Sequence, residues 1–227
     1  MRYLPLMAAL FCAGAMFTPR AHAETVLTPP TDRPIRVAFV LSEGATVIDF
    51  TGPWEVFQDA DVPMPFDLYT VASSKAPIRT SGNGKRGISI TPDYAFADAP
   101  EPDLIVVGAQ SGGAGLSAWL QKLHRDRKVI LSVCTGAFRV AQAGLLDGLP
   151  ATTHHDFVDQ FAAQFPKVRI VRSVRYVESD PTIYTAGGLT SGVDLALHIV
   201  EGYFGREVAQ KTADYMEYQG SGWKGAP

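Results

Sequence analysis

The sequence predicts an α/β protein, a three-layer sandwich in which helices cover both faces of a mainly parallel sheet. Two apolar runs, residues 35–41 and 104–107, are almost free of polar residues, which is typical of parallel strands buried on both faces. Segments with helical patterns alternate with such runs along the chain. A third run, 129–133, ends directly at Cys134, and small residues follow it. This pattern indicates the strand–turn–helix arrangement called a nucleophile elbow.

Residues 1–23 have the features of an export signal. A basic start at Arg2 precedes an apolar stretch, residues 3–17, that is too short to span a bilayer comfortably. Ala21-His22-Ala23 then supplies the small-x-small pattern of a cleavage site. We expect cleavage after Ala23 and a periplasmic or secreted mature protein. The alternative is an uncleaved membrane anchor.

The mature chain, residues 24–227, is mildly acidic and contains one cysteine. Removal of Arg2 and Arg20 leaves 18 of the 20 basic residues against 23 acidic ones, a net charge of −5. This balance, without a basic cluster, argues against nucleic acid as a partner. No later segment is apolar enough to span a membrane, so we expect no membrane association after cleavage. Cys134 has no internal disulfide partner once Cys12 is removed, so it is either shielded or used.

The first half of the mature chain begins with a leader and continues into one domain. Residues 24–34, rich in Pro and Thr, form a solvated leader, and the domain covers residues 35–223. Gly52 and Pro53 open the first helix, because proline suits the first helical position. The elements predicted in this half are a strand at 35–41, a helix from Gly52 to Ala60, a strand at 67–72, and turns with a short strand within 81–93.

The second half repeats the alternation of strands and helices. The strand at 104–107 ends at Gly108 and a glycine-rich loop, and Gly144 ends the helix that follows Cys134. The other elements are a helix at 116–124, a strand pair at 174–177 and 182–185, and helices at 193–204 and 207–218 separated by Gly205. Because sites in such folds lie at the carboxyl ends of the strands, Cys134 and the Gly108 loop are expected at one edge of the sheet.

Four stretches resemble the DJ-1/PfpI superfamily, the class I glutamine amidotransferase-like proteins. The resemblance covers roughly residues 36–223, and it implies a flavodoxin-like fold. Within the superfamily the pattern is most similar to isonitrile hydratase and to the sensor domains of AraC-type regulators. The four stretches are residues 44–57 (GATVIDFTGPWEVF), 132–137 (SVCTGA), 143–148 running into 151–154 (AGLLDG and ATTH), and 185–197 (TAGGLTSGVDLAL).

The resemblance implies a catalytic set. Cys134 matches the family's nucleophile, Thr135 the threonine beside it, and Asp49 the acidic partner. Gly108 and Ala109 occupy the oxyanion loop, where the family carries Gly-Gly. Proteolytic and deglycase-like relatives carry histidine after the cysteine, so Thr135 argues against amidase or peptidase chemistry.

The implied activity is hydration of an isonitrile, a small-molecule substrate, to an N-substituted formamide through a thioimidate on Cys134. This activity requires no cofactor and no metal. The resemblance also implies a homodimer, and we expect Trp54, Phe57 and Trp223 to supply apolar area at its interface.

The residues themselves leave alternatives open. Cys134 is either an accessible thiol whose pKa a helix N-terminus lowers, which we favour, or a small core residue. Asp49 is either a general acid, again the favoured interpretation, or a helix N-cap. Thr135 either orients an intermediate or satisfies a free N–H at the helix start.

His154 is expected to form structural hydrogen bonds rather than to act as a catalytic partner of the cysteine. Metal binding by His154, His155 and Asp156 is not expected, because adjacent histidines should point in different directions.

Two other functions remain open. One is a glyoxalase- or deglycase-like enzyme acting on reactive carbonyls, and the other is a non-catalytic periplasmic protein that senses or binds a small molecule or an oxidant.

Overall fold

The computed structural model describes residues 27–81 and 86–225. The predicted signal peptide, residues 1–23, and the first residues of the predicted leader lie outside this part of the chain. Cleavage and export therefore stay predictions. No helix in the described part is long and apolar enough to cross a bilayer.

Strands and helices alternate through most of the domain, as the sequence predicts. The strands are β1 (Arg36–Val40), β2 (Asp67–Ala72), β3 (Ile78–Arg79), β4 (Ser89–Ile90), β5 (Tyr94–Ala95), β6 (Leu104–Val107), β7 (Val129–Ser132), β8 (Pro150–Ala151), β9 (Arg169–Ile170), β10 (Tyr176–Asp180) and β11 (Ile183–Ala186). The α-helices are α1 (Val47–Asp59), α2 (Leu116–Arg125), α3 (Gly136–Gln142), α4 (Val158–Gln164), α5 (Ser191–Phe204) and α6 (Arg206–Tyr215), with short 3₁₀ helices at His155–Phe157 and Gly222–Lys224.

Seven strands form the central sheet in the order β10-β11-β7-β6-β1-β2-β5. All neighbours are parallel except β10 and β11, which form an antiparallel pair. The five longer parallel strands therefore have the flavodoxin-like order, in which the chain changes direction between β1 and β6. Ligand sites of such sheets lie at the carboxyl ends of the strands beside that switch point.

Two apolar layers enclose the sheet, and the strand residues alternate between them. In β1, Val37 and Phe39 pack on the side of α1, α5 and α6, while Ala38 and Val40 pack on the side of α2 and α3. Helices cover both faces of the sheet, and successive side chains of a strand point to opposite faces. Every residue of such a strand is therefore buried, alternately in one apolar layer and in the other. This arrangement explains why the strand sequences read as continuous apolar runs.

Helix α1 begins five residues earlier than the sequence indicated. It starts at Val47, so Pro53 lies inside the helix rather than at its first position. The burial of Asp49 and Phe50 in the first turn outweighs the preference of proline for the first position of a helix. Pro53 has no N–H to donate to the carbonyl group of Asp49, so this carbonyl lacks its usual helical partner.

Other boundaries agree closely with the sequence, and a few elements were missed. Strands 67–72 and 104–107 are as predicted, and Gly205, with a φ of +87°, separates the last two helices. Helix α4 and the short strands β3, β5, β8 and β9 were not predicted. The expectation that Phe57 and Trp223 supply a dimer interface is wrong, because Phe57 is 1% exposed and Trp223 is fully buried within this chain.

Candidate active site

Cys134 lies in a strained turn between β7 and α3. Its φ is +60°, a left-handed conformation that non-glycine residues rarely adopt. Two backbone groups hold it: its N–H donates to Gly187 O at 2.8 Å, and its carbonyl accepts from the Thr153 hydroxyl at 2.9 Å. Strain that the surroundings hold in place is typical of functional positions.

Gly136 allows α3 to approach the end of β6. A Cβ atom at this position would lie 1.9 Å from Val107 O and 3.0 Å from the carbonyl carbon of Gly108. Only glycine avoids these contacts, because both neighbours are backbone atoms that cannot move aside. Glycine at position 136 is therefore required by the close crossing of helix and strand.

Asp49 approaches the same place from the first turn of α1. Its side chain is completely buried, and its Oδ2 accepts a hydrogen bond from Ala109 N–H at 2.9 Å. A Cβ atom on Gly108 would lie 2.8 Å from Cβ of Asp49, so glycine is required there as well. The buried position in α1 differs from the N-cap alternative, and the helix cap is Thr46 instead.

Ala109, in the predicted oxyanion loop, has a different role from the one expected. Its N–H donates to Asp49 and is therefore not free for a substrate anion. The loop positions the carboxyl group, while a role of Gly108 toward substrate stays a prediction.

The carboxyl group of Asp49 and the thiol of Cys134 interact with each other. Burial raises the pKa of Asp49 to about 6, although the Ala109 N–H and the Cys134 thiol act in the opposite direction. Oδ1 of Asp49 is buried and makes no hydrogen bond in the described part of the chain. The Cys134 thiol is the side chain whose hydrogen bonding lowers the pKa of this carboxyl group.

The thiol pKa differs from the sequence prediction. Burial, and then the charge of Asp49, raise the pKa of Cys134 to about 11. The backbone N–H groups of Thr135 and Leu189 lower it by a smaller amount. The prediction of an accessible thiol with a low pKa is therefore wrong, since Cys134 is only 6% exposed and stands beside an acid.

Thr135 occupies the N-cap position of α3, but its hydroxyl makes no capping hydrogen bond. Of the two alternatives, capping of the helix start is therefore not observed. Thr135 is half-buried, and its hydroxyl makes no hydrogen bond with any residue in 27–81 or 86–225. It remains available to a substrate or a water molecule.

Leu189 is a site residue that the sequence did not identify. It follows β11, whose carboxyl end lies beside that of β7, and its N–H favours the thiolate of Cys134. Its φ is +53°, and its side chain is 43% exposed. The stretch that contains it was part of the recognised resemblance, but no residue type marks a backbone donor.

His154 lies near the site and makes a structural hydrogen bond of the kind expected, while a catalytic role is not tested. Its Nδ1 accepts from Asp156 N–H at 3.2 Å, which caps the 3₁₀ helix at His155–Phe157. A Cβ atom on Gly188 would lie 2.2 Å from the imidazole ring, so the ring packs directly on this glycine.

The reason given against a metal is wrong. The rings of His154 and His155 do not diverge but stack, with centroids 4.4 Å apart. Ligand atoms of His154, His155 and Asp156 lie within 4.8 Å of one another. The expectation that no metal binds stays a prediction.

Four strand ends thus converge on one place: β1 leads to Asp49, β6 to Gly108, β7 to Cys134 and β11 to Leu189.

A model of the DJ-1/PfpI family matches residues 35–202. The chain belongs to the DJ-1/PfpI family. The family assignment confirms the resemblance inferred from the sequence.

Relatives in this family include an enzyme and several regulators. Isonitrile hydratase of Pseudomonas putida is 30% identical over 196 residues, 81% of this chain and 78% of the relative. The transcriptional regulator GbdR of Pseudomonas aeruginosa is 28% identical over 203 residues, 84% of this chain. The chain spans about half the length of that regulator, 53%.

Solved structures support the same fold. A putative transcriptional regulator of Vibrio parahaemolyticus superposes with a TM-score of 0.71 at 22% identity, covering 81% of this chain and all of the other. DJ-1beta of Drosophila melanogaster gives 0.66 at 20% identity, covering 81% of this chain and 98% of the other. At these identities the likeness concerns the fold alone.

Proposed function

We propose that this protein is an isonitrile hydratase-like enzyme that converts an isonitrile and water into an N-substituted formamide. The observation that carries the proposal is the buried pair formed by the Asp49 carboxyl group and the Cys134 thiol, each of which shifts the pKa of the other. The relationship to the Pseudomonas putida enzyme supports the choice of substrate class.

The pair holds one proton near neutral pH, and that proton is what the reaction needs. With a pKa of about 6 for Asp49 and about 11 for Cys134, the thiol is protonated and the carboxylate is ionised. The titrations belong to the pair, because each group shifts the other. Asp49 can accept the thiol proton and then deliver it to the substrate.

In the first step the sulfur of Cys134 adds to the terminal carbon of R–N≡C, and Asp49 returns the thiol proton to that carbon. The product is a thioimidate, Cys134–S–CH=N–R. The backbone N–H groups of Thr135 and Leu189 favour the thiolate from which the attack starts. Covalent catalysis of this kind divides one difficult hydration into two easier steps.

In the second step water adds across the C=N bond to give Cys134–S–CH(OH)–NH–R. Asp49 takes one proton from the water as the oxygen–carbon bond forms and delivers it to the nitrogen. Breakage of the carbon–sulfur bond then releases R–NH–CHO, and the hydroxyl proton passes to the sulfur to restore the thiol. The unpartnered hydroxyl of Thr135 can orient the water in this step.

A panel of isonitriles and of reactive carbonyls such as methylglyoxal, with products read by mass spectrometry, tests the proposal. We expect formamides from isonitriles and a thioimidate adduct on the intact protein, with both absent in Cys134→Ser. Turnover of the carbonyls alone would instead favour the glyoxalase-like alternative. Formamide production at the wild-type rate by Cys134→Ser would refute the mechanism.

A non-catalytic sensor or binding protein is the second candidate. The match to regulators over 84% of this chain favours it, together with the burial of the thiol. Binding of an isonitrile or an oxidant without turnover, read as a stable mass change at Cys134, would support this role over the enzymatic one.

A further inference from the structure

The loop between β11 and α5, residues 187–190, carries a strained residue beside the thiol. Leu189 has a φ of +53°, a left-handed conformation that non-glycine residues rarely adopt. Cys134 N–H donates to Gly187 O at 2.8 Å, and Leu189 N–H favours the thiolate. A strained conformation persists only where the surrounding structure holds it. The contacts that hold this loop therefore bear on Cys134.

Arg175, directly before β10, contacts both ends of the loop. Its carbonyl group accepts from Gly187 N–H at 2.9 Å, and its Nη2 donates to the hydroxyl of Thr190 at 3.1 Å. Thr190 is the N-cap residue of α5, a position where threonine usually accepts from an N–H of the first turn. Within the described part of the chain its hydroxyl makes no such capping bond. The hydroxyl binds the arginine instead.

Asp194 fixes the guanidinium group of Arg175. Its side chain is 1% exposed, and it accepts from Nε of Arg175 at 2.5 Å and from the hydroxyl of Tyr218 at 3.0 Å. A buried carboxylate is tolerated when it is paired and hydrogen-bonded in this way. Because Asp194 lies in the first turn of α5, the ion pair binds Arg175 to the same helix start that Thr190 caps.

The C-terminal segment covers this ion pair. A Cβ atom on Gly222 would lie 2.8 Å from Cγ of Arg175 and 2.9 Å from Cγ of Asp194, so the backbone of the segment lies directly on both side chains. The neighbouring Trp223 is fully buried, and its carbonyl group accepts from the hydroxyl of Tyr176 at 3.2 Å. The side chain of Arg175 is therefore confined, although it is 42% exposed.

We propose that Arg175 is a positioning residue of the active site, which holds residues 187–190 in the conformation that directs Leu189 N–H toward Cys134. It acts through the loop, by its carbonyl group at Gly187 and by its side chain at Thr190. The inference rests on the proposed function only for the role of Cys134 as the nucleophile. It extends the active site to the C-terminal segment that covers Arg175.

The pH dependence of iodoacetamide alkylation at Cys134, read by peptide mass in the full chain, tests the inference. Arg175→Gln should raise the alkylation pKa by about 0.5, which leaves about threefold less thiolate at a pH below that pKa. Thr190→Val should raise it by a smaller amount. This second variant changes no charge, so its effect is free of any direct influence of the arginine charge on the thiol.

The direction of the change separates positioning from general support of the fold. Burial is the largest cause that raises the pKa of Cys134. A variant that merely loosened the structure would admit water to the thiol and lower this pKa. Loss of the Leu189 N–H as a donor to the thiolate raises it instead.

Two controls match these variants. Arg172→Gln makes the same change at a surface arginine that pairs with the exposed Asp159, and it should keep the wild-type alkylation pKa. Thr190→Ser keeps the hydroxyl that accepts from Arg175 and should restore the wild-type value. If Arg175→Gln does not fold, the comparison of Thr190→Val with Thr190→Ser decides the matter.

The inference is overturned if Thr190→Val has an alkylation pKa equal to or below that of wild type, or if Thr190→Ser raises it as much as Thr190→Val does. An equal effect of Arg172→Gln and Arg175→Gln would overturn it too. Alkylation requires no isonitrile, so a failure of the hydratase proposal leaves this test intact and can be told apart from it.

Discussion

The negative charge of Asp49 is, after burial, the second cause that raises the pKa of the Cys134 thiol to about 11. The two side chains come from different strand ends, β1 and β7, with β6 between them. Gly108 and Gly136 allow this approach, because side chains at either position would collide with the neighbouring segment. The backbone of the fold therefore brings the acid and the thiol together, and this arrangement requires glycine at both positions.

Removal of the Asp49 charge should make Cys134 easier to ionise. At pH 8 a thiol with a pKa of 11 is ionised to roughly one part in a thousand, so we expect slow alkylation by iodoacetamide in wild type. Asp49→Asn should lower the alkylation pKa and speed the reaction at pH 8. The pH dependence of alkylation measures both, with Asp61→Asn, an exposed carboxylate, as the matched control. A wild-type alkylation pKa at or below the model-thiol value of about 8.5 would contradict the electrostatic account.

Turnover of an isonitrile should depend on pH through the same pair. Below about pH 6 the carboxyl group of Asp49 is protonated and cannot accept the thiol proton. We expect kcat/KM to rise as pH increases through about 6 and then to level off. Asp49→Asn should reduce kcat/KM strongly at every pH and remove this dependence. A wild-type kcat/KM that falls between pH 5 and 8 would refute the proton-transfer role of Asp49.

The sequence predicted the layers of the fold better than it predicted the chemistry of the site. Apolar runs identify strands buried on both faces, so β1 and β6 were located within a residue or two. The start of α1 was missed because Pro53 carries a strong local signal that tertiary burial of Asp49 overrides. The pKa of Cys134 could not be predicted, since it depends on a carboxyl group 85 positions away in the chain and on burial. Leu189 acts through its backbone, which every residue type possesses.

Export is expected from the basic start, the apolar segment and Ala21-His22-Ala23. The mature protein should begin at Glu24 and occur outside the cytoplasm. N-terminal sequencing of protein from periplasmic and cytoplasmic fractions measures this directly. As a control, replacement of Ala21 and Ala23 by leucine should block cleavage and leave the longer chain. A cytoplasmic protein that begins at Met1 would refute the prediction.

A homodimer is expected from membership of the DJ-1/PfpI family, although the interface cannot use Phe57 or Trp223. These side chains are already buried in the core of one chain. Trp54 is only partly buried and packs against Phe39, with ring centroids 4.9 Å apart. Light scattering over micromolar concentrations should give twice the mass of the mature chain. A monomeric mass at all of these concentrations would refute the prediction of a homodimer.

The stability of the protein should fall between about pH 4 and pH 7, because of Asp49. Burial raises the pKa of its carboxyl group from the ordinary 3.8 to about 6 in the folded state. The folded protein therefore binds this proton more tightly than the unfolded chain does, so the contribution to stability is complete below pH 3.8 and is lost as pH rises through 6. A difference of about two pKa units corresponds to a free energy on the order of 3 kcal/mol.

Asp49→Asn removes the ionisable group and keeps an oxygen that can accept from Ala109 N–H. We expect this variant to be more stable than wild type at pH 8, by up to about 3 kcal/mol, and to show little difference at pH 4. Urea unfolding at both pH values measures the free energies, with Asp61→Asn as the control that changes the same charge on the surface. A loss of stability in Asp49→Asn at pH 8, with none in the control, would show that the ionised carboxylate stabilises this fold. In that case its burial could not be the dominant influence on its pKa.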